Sequence, residues 1–399
     1  MKWTETLVSI DDALTLLLEQ IKPIERTEVL EGVGIPGRVL AQNLTATHNV
    51  PPFDRAAMDG YALNSADTRQ ASRQCPLKLP VLGELYAGDM HIPHIKPGAC
   101  IYIATGAALP AGADAVIRIE HTVAGDGYIE VDTPVRTGDN VAPSGEDIRA
   151  GDTVLKAGNW LSPARTGVLA SQGLNGISVY EKPVISVITT GGELVQPPNE
   201  LKSGQIYDVN NTTLCSLIQL HGGISVKMSG FDDSLESLGQ CLEQALDADM
   251  VVVSGGSSVG EKDYIGKLLS SKGEIFFHGL NVKPGKPTLF AVVSEKPVLA
   301  LPGYPTSCLI MAYLLLKPAL RKLARLPDYE ANYVEAAFTG RVKASQRRQF
   351  VTVKLDKTRA IPVGKESGAI TATADASGYV TVPENSGLIE GSQVKVRLF

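Results

Sequence analysis

Val184-Ile-Ser-Val-Ile-Thr-Thr190-Gly-Gly-Glu193 is an apolar run that stops at two glycines, and Met250-Val-Val-Val-Ser254-Gly-Gly-Ser-Ser258 repeats the pattern. Apolar, β-branched runs of about four to eight residues, bounded by turn residues, are what a strand buried on both faces requires. Between and beyond these two runs the periodicity alternates. A helix is expected near 210–221, a strand at 224–230 and a helix from about 234 to 246. A further strand, Val298–Leu301, leads into a long helix expected from Pro305 to Leu326. Strands alternating with helices at this spacing predict a doubly wound α/β sheet.

Outward from this segment the texture changes. Towards the N-terminus, Ser9 is a candidate cap for a helix over 9–24, with Ala13, Leu16, Leu17 and Ile21 at helical spacing. From about 45 to 140, short apolar stretches such as Ala99–Ile103, Ala115–Ile119 and Tyr128–Val131 alternate with Gly, Pro and Asp turns, which predicts a small β-rich domain. A turn-rich stretch over 138–165 precedes a helix expected at 162–172. After about residue 328, short alternating strands (Phe350–Leu355, Tyr379–Val382, Gln393–Leu398) read as a small β barrel or sandwich.

With 399 residues the chain is too long for one core, so two to four domains are expected. Its formal charge of −6 offers no general attraction to nucleic acid or to an acidic membrane. Salt screens charge beyond about 8–10 Å, so a local basic cluster can still take an anion. The five cysteines are widely spaced and show no metal-ligand pattern; reduced, structural thiols are expected. The N-terminus lacks a signal-peptide pattern and no apolar run reaches about 18 residues, so a cytoplasmic protein with no membrane span is expected.

In an open α/β sheet, ligands sit beyond the carboxyl ends of the strands. Three strand ends carry distinctive loops: Thr190-Gly191-Gly192-Glu193, Ser254-Gly255-Gly256-Ser257-Ser258 running on to Asp263, and Leu301-Pro302-Gly303-Tyr304-Pro-Thr-Ser307. Glycines let backbone approach a ligand closely, and N–H groups with Ser or Thr hydroxyls cradle an oxyanion. Asn281-Val-Lys283-Pro-Gly-Lys286-Pro adds two lysines in a proline-stiffened loop. A single glycine turn is most often only a turn, but three together with a lysine pair favour phosphate binding. Glu193, Asp208, Asp232, Asp233 and Asp263 are carboxylates in or near these loops, and such a set suits Mg²⁺ bridging to phosphate oxygens. Asp232 or Asp233, ahead of Ser234, is equally a helix-cap candidate.

The remaining strong segment is Pro51-Pro-Phe-Asp-Arg-Ala-Ala-Met-Asp59-Gly-Tyr-Ala. Together with TGAALPAGADAVIRIE (105–120), SGED (144–147), ITTGGELV (188–195), GQIYDVN (204–210), SGGSSVGEKDY (254–264), VKPGKPT (282–288) and LPGYPTS (301–307), it resembles the molybdopterin molybdenumtransferase family, MoeA and the E-domain of gephyrin. The motifs fall in family order over essentially the whole chain.

The resemblance implies a four-domain homodimer: an extended dimerisation domain of 1–45 with 141–180, a small β-rich domain at 46–140, an α/β molybdopterin-binding domain at 181–327 and a C-terminal β barrel at 328–399. It implies adenylylated molybdopterin as substrate, Mg²⁺ as cofactor, molybdate or tungstate as metal donor, release of AMP, and a molybdopterin adenylyltransferase as a candidate partner. By motif, Asp59, Thr105, Asp147, Glu193 and Asp263 would be catalytic, with Glu193, Asp232, Asp233 and Asp263 around the metal. Gly191, Gly192, Asp208, Gly255, Gly256, Ser257, Ser258, Pro302, Gly303 and Tyr304 would bind substrate, while Lys283, Lys286, Ser307 and Arg347 would hold the oxyanion. The chain departs from the pattern at Ser257, at Tyr304, where many members have Asn, and at the Arg347 motif, which lacks its second Arg. Two other readings compete: a non-catalytic pterin-binding scaffold, and a different nucleotide or pterin hydrolase on the same fold.

Overall fold

A computed structural model describes residues 7–174, 176–231, 234–255, 264–328, 331–363 and 369–399. Backbone contacts divide the chain into two compact units. One comprises Met1–Leu30, Gly37–Ala41 and Ser178–Phe399; the other comprises Glu31–Pro36 and Gln42–Ile177. No helix of the described residues is long and apolar enough to cross a membrane.

The first unit is built on a six-stranded sheet in the order Ile224–Phe231, Val184–Thr190, Met250–Ser254, Lys296–Leu301, Leu289–Val293, Gly273–His278. The first four strands run parallel, as the alternation of strands and helices predicts. Side chains along them point alternately to two cores. Ile185, Val187, Met250, Val252, Leu299 and Leu301 face helices Val209–Leu220 and Pro305–Met311 and the N-terminal helix Ile10–Gln20. Ile188, Val251, Val253, Val298 and Ala300 face helices Leu235–Ala245 and Tyr264–Lys272. That period of two explains why the strands read as continuously apolar: both faces are covered.

Three features differ from the sequence expectation. The fifth strand, Leu289–Val293, runs antiparallel to both its neighbours and joins Lys296–Leu301 through a two-residue turn. Ser294 (φ 48°) and Glu295 (φ 62°) make this a type I′ geometry without the usual Asn-Gly, so the turn left no sequence signal. The helix expected over 305–326 is α over Pro305–Met311, π over Ala312–Leu316 and α over Lys317–Leu323. Pro318 lacks an N–H and crowds the carbonyl one turn back, and the wider π turn accommodates it. Finally, the cap of Leu235–Ala245 is Ser234, whose hydroxyl accepts from Ser237 N–H.

The C-terminal part of this unit is a closed five-stranded barrel. Arg348–Asp356 pairs with Arg359–Pro362, which pairs with Tyr333–Phe338, then Gln393–Leu398, then Gly378–Val382, which returns to Arg348–Asp356. Closure leaves no edge strand exposed. The short strand Val282–Lys283 pairs with Arg348–Gln349, tying the lysine loop to the barrel.

The second unit holds a six-stranded sheet in the order Ala115–Arg118, Gly60–Leu63, Cys100–Ile103, Leu77–Leu85, Tyr128–Val131, Val123–Ala124. Ala62, Ile101, Ile103 and Val116 form one apolar cluster, and Tyr61, Leu63, Cys100, Ala115 and Ile117 the other.

Candidate functional site

The glycine loops of the first unit meet at the carboxyl ends of the parallel strands. Gly255 has φ +104°, and a Cβ there would stand 2.3 Å from Thr190 O, so only glycine lets these two strand ends lie together. A Cβ on Gly303 would lie 3.5 Å from Gly255 Cα, placing the third loop against the second. Glu193 folds back over Gly191, where a Cβ would be 2.8 Å from both carboxylate oxygens. The strand ends therefore present backbone at Gly191, Gly255 and Gly303, with the exposed Glu193 carboxylate folded over the first of them.

Asn210 ties this junction together. Its Nδ2 donates to Ser254 Oγ at 2.9 Å and to Gly303 O at 2.7 Å, and Ser254 Oγ donates to Pro302 O at 3.3 Å. The Gly303 carbonyl can only accept, which fixes the orientation of the carboxamide. Its Oδ1 is then buried without a partner, on a side chain only 9% exposed. Asp208, at 4% exposure, caps helix Val209–Leu220. Its carboxylate accepts from Asn211 N–H at 3.0 Å, from Gln196 Nε2 at 2.7 Å and from Thr189 Oγ1. Among the expected substrate-binding residues, Asp208 thus faces the framework rather than solvent. Sequence reasoning singled out Asp208 in the GQIYDVN stretch and missed Asn210. The usable signal was the Asp-x-Asn spacing, which puts Asn210 in the first helical turn beside the strand ends.

Pro302 is buried, while Tyr304 is 66% exposed and occupies the N-cap position without making a side-chain cap. A capping Asn or Ser there would contribute about 1 kcal/mol. Ser307 is buried in the first turn of the same helix, beside Thr306, whose hydroxyl donates to Ala369 O at 3.0 Å. Lys283 is exposed and Lys286 half-buried. Their loop is held by backbone, with Leu280 N–H donating to Lys286 O at 2.8 Å. Arg347 is half-buried; the ion pairs nearby belong to Arg348, with Asp11 at 2.7 Å and Glu384 at 3.4 Å.

In the second unit, Asp59 and Thr105 are brought together. Thr105 donates to Asp59 Oδ1 from its backbone N–H and its hydroxyl, both at 2.7 Å. These bonds, the backbone one foremost, hold the exposed Asp59 carboxyl below the usual carboxylate range. Gly60, next to it, is pinned in the sheet, since a Cβ would lie 2.0 Å from Ile117 O. Asp147 is exposed, its N–H donating to Val50 O at 3.0 Å. Phe53, Arg55 and Met58 are exposed along the same loop.

Asp232, Asp233, Gly256, Ser257, Ser258 and Asp263 lie outside the described residues. Among the described residues no three His, Cys, Asp or Glu side chains gather as a metal cage, and the carboxylate offered to a cation at the strand ends is Glu193. Mg²⁺ is ordinarily held by one or two carboxylates together with substrate phosphate oxygens, and the donor chemistry present fits that mode.

Residues 8–173 match the MoeA N-terminal region (domains I and II), 186–322 a probable molybdopterin binding domain, and 336–399 the MoeA C-terminal region (domain IV). The molybdopterin molybdenumtransferase of Haemophilus influenzae is 35% identical over 319 residues, 79% of this chain and 78% of that protein. That of Staphylococcus epidermidis is 30% identical over 403 residues, 98% of this chain and 96% of that protein. The crystal structure of a molybdopterin biosynthesis MoeA protein from Pyrococcus horikosii superposes with a TM-score of 0.85 at 39% identity, covering 98% of this chain and 99% of that one.

Proposed function

The chain belongs to the MoeA family of molybdopterin molybdenumtransferases, and from that premise we propose that it inserts molybdate or tungstate into adenylylated molybdopterin, with hydrolysis of the adenylate and release of AMP. The protein is an enzyme of molybdenum cofactor biosynthesis; the adenylylated substrate, the Mg²⁺ requirement and the choice of oxyanion are the proposal. The observation that supports it most is the backbone floor where Thr190, Gly255 and Gly303 converge. A phosphate approaches such a floor closely, and the lysine loop supplies the opposite charge.

Lys283, Lys286, Ser307 and Arg347 would orient the oxyanion. Glu193, with Asp232, Asp233 and Asp263, would hold Mg²⁺, which when bound neutralises phosphate oxygens. Asp59, kept ionised by Thr105, acts as an acceptor that orients a donor rather than as an acid at neutral pH. Asp147, exposed in the second unit like Asp59, would serve as a further acceptor. We take the working enzyme to be a cytoplasmic homodimer, for which light scattering should give twice the 42.3 kDa of one chain.

The test is to supply adenylylated molybdopterin and Mg²⁺ and titrate molybdate against tungstate while measuring AMP. AMP release that depends on one oxyanion is expected. Release indifferent to both would favour a different hydrolase on this fold; tight pterin binding without release would favour a scaffold.

A further inference from the structure

Tyr304 is the side chain that the strand-end junction leaves uncommitted. It is 66% exposed and makes no hydrogen bond or ring contact among the described residues. Its backbone, at φ −70° and ψ 127°, holds the N-cap of helix Pro305–Met311, where a short polar side chain would accept from the first turn. A phenol ring is too long and rigid to do so. The position therefore forgoes a cap and keeps an aromatic ring in water, and neither helps the chain fold.

The turn that carries the ring is stiff. Asn210 Nδ2 holds Gly303 O at 2.7 Å, Ser254 Oγ holds Pro302 O at 3.3 Å, and Pro305 follows directly. Beside it, Gly303 and Gly255 present no side chains. A rigid, solvent-facing aromatic next to a side-chain-free floor has one strong use, which is to stack on a flat ring. Tyrosine does this with only two side-chain torsions to order. An aliphatic residue would supply area without a π face.

We propose that Tyr304 is a stacking platform for a flat nitrogen heterobicycle of the substrate, and so a specificity-determining residue. This rests on the reading above, in which the substrate carries two such rings, the purine of the adenylate and the pterin. The shared chemistry is π-stacking, and the two rings are separated by experiment.

The experiment measures equilibrium binding of AMP and, separately, of pterin-6-carboxylate to the full chain by calorimetry, with melting temperatures in parallel. The variants are Tyr304→Phe, Tyr304→Leu and Tyr304→Asn. Wild type should bind at least one probe, and Tyr304→Phe should bind it within about threefold, since the ring is kept. Tyr304→Leu and Tyr304→Asn should weaken the same probe by roughly five- to a hundredfold. Tyr304→Asn should melt at the wild-type temperature or above, because Asn restores the cap. The probe that weakens identifies the stacked ring. Unchanged binding by Tyr304→Asn or Tyr304→Leu overturns the proposal, as does a melting temperature that falls together with binding. Failure of wild type to bind either probe also overturns it. Oxyanion-dependent AMP release would still stand in that case, so the two failures are distinguishable.

Discussion

Asn210 carries the junction of the strand ends on one carboxamide. Removing it in Asn210→Ala leaves Gly303 O and Ser254 Oγ each short of a donor, at a cost of about 1–3 kcal/mol. Asn210→Asp is worse, because a carboxylate oxygen then faces the Gly303 carbonyl and a charge is buried. Urea midpoints should therefore rank wild type above Asn210→Ala and that above Asn210→Asp; equal midpoints for the two variants would mean that the Gly303 contact is not made. The lysines behave in the opposite way. Their loop is fixed by backbone hydrogen bonds and by the pairing of Val282–Lys283 with the barrel, not by the ammonium groups. Lys283→Ala and Lys286→Ala should each raise the molybdate requirement of AMP release roughly ten- to a hundredfold, the loss of one charge-assisted hydrogen bond. Their melting temperatures should barely move. A large loss of thermal stability with unaltered molybdate dependence would make them structural.

At the scale of elements, helix Val209–Leu220 ends at His221, a position where the helix dipole ordinarily favours a charged imidazole. Burial outweighs that here, and the nearby Lys317 and Arg321 add to it, so the His221 pKa is lowered to about 4. The unfolded chain, with an ordinary value of about 6.5, takes up a proton between pH 6.5 and 4 that the folded chain refuses. The neutral imidazole's contribution is thus full above pH 6.5 and declines as the pH falls towards 4. His221→Gln should flatten that limb, and the difference from wild type should grow to the order of 2–3 kcal/mol by pH 4 in urea titrations. Parallel curves across the window would sink the assignment. The same helices and strands show how far local pattern reaches. Val184–Thr190 and Met250–Ser254 start and stop where their apolar runs do, because glycine ends each run. Leu289–Val293 escaped notice because its I′ turn uses Ser294 and Glu295, neither of which signals a left-handed backbone.

At the scale of the molecule, each unit has apolar clusters of its own, with Phe290 fully buried in the first and Ile103 in the second. Calorimetry should resolve two transitions. Phe290→Ala, costing about 3–5 kcal/mol, should lower one of them and Ile103→Ala, at about 2–5 kcal/mol, the other. Equal displacement of a single transition by both variants would show one cooperative body instead. Four of the five cysteines fit the expectation of free, structural thiols, being buried, and burial pushes Cys100, Cys241 and Cys308 up to about 12; Cys75 is free but exposed.

The sequence by itself determined the buried strands Val184–Thr190 and Met250–Ser254, the glycine loops at their ends and the family motifs, since periodicity and turn chemistry act over a few residues. Tertiary structure alone decided which way the polar side chains of those loops turn. Asp208 and Thr189 are 19 residues apart in the chain and share a buried hydrogen bond; Asn210 and Gly303 are 93 apart and share another. Such pairings exist only once the parallel strands lie side by side. The neighbour of each strand is chosen by burial summed over the whole sheet, which no local stretch encodes.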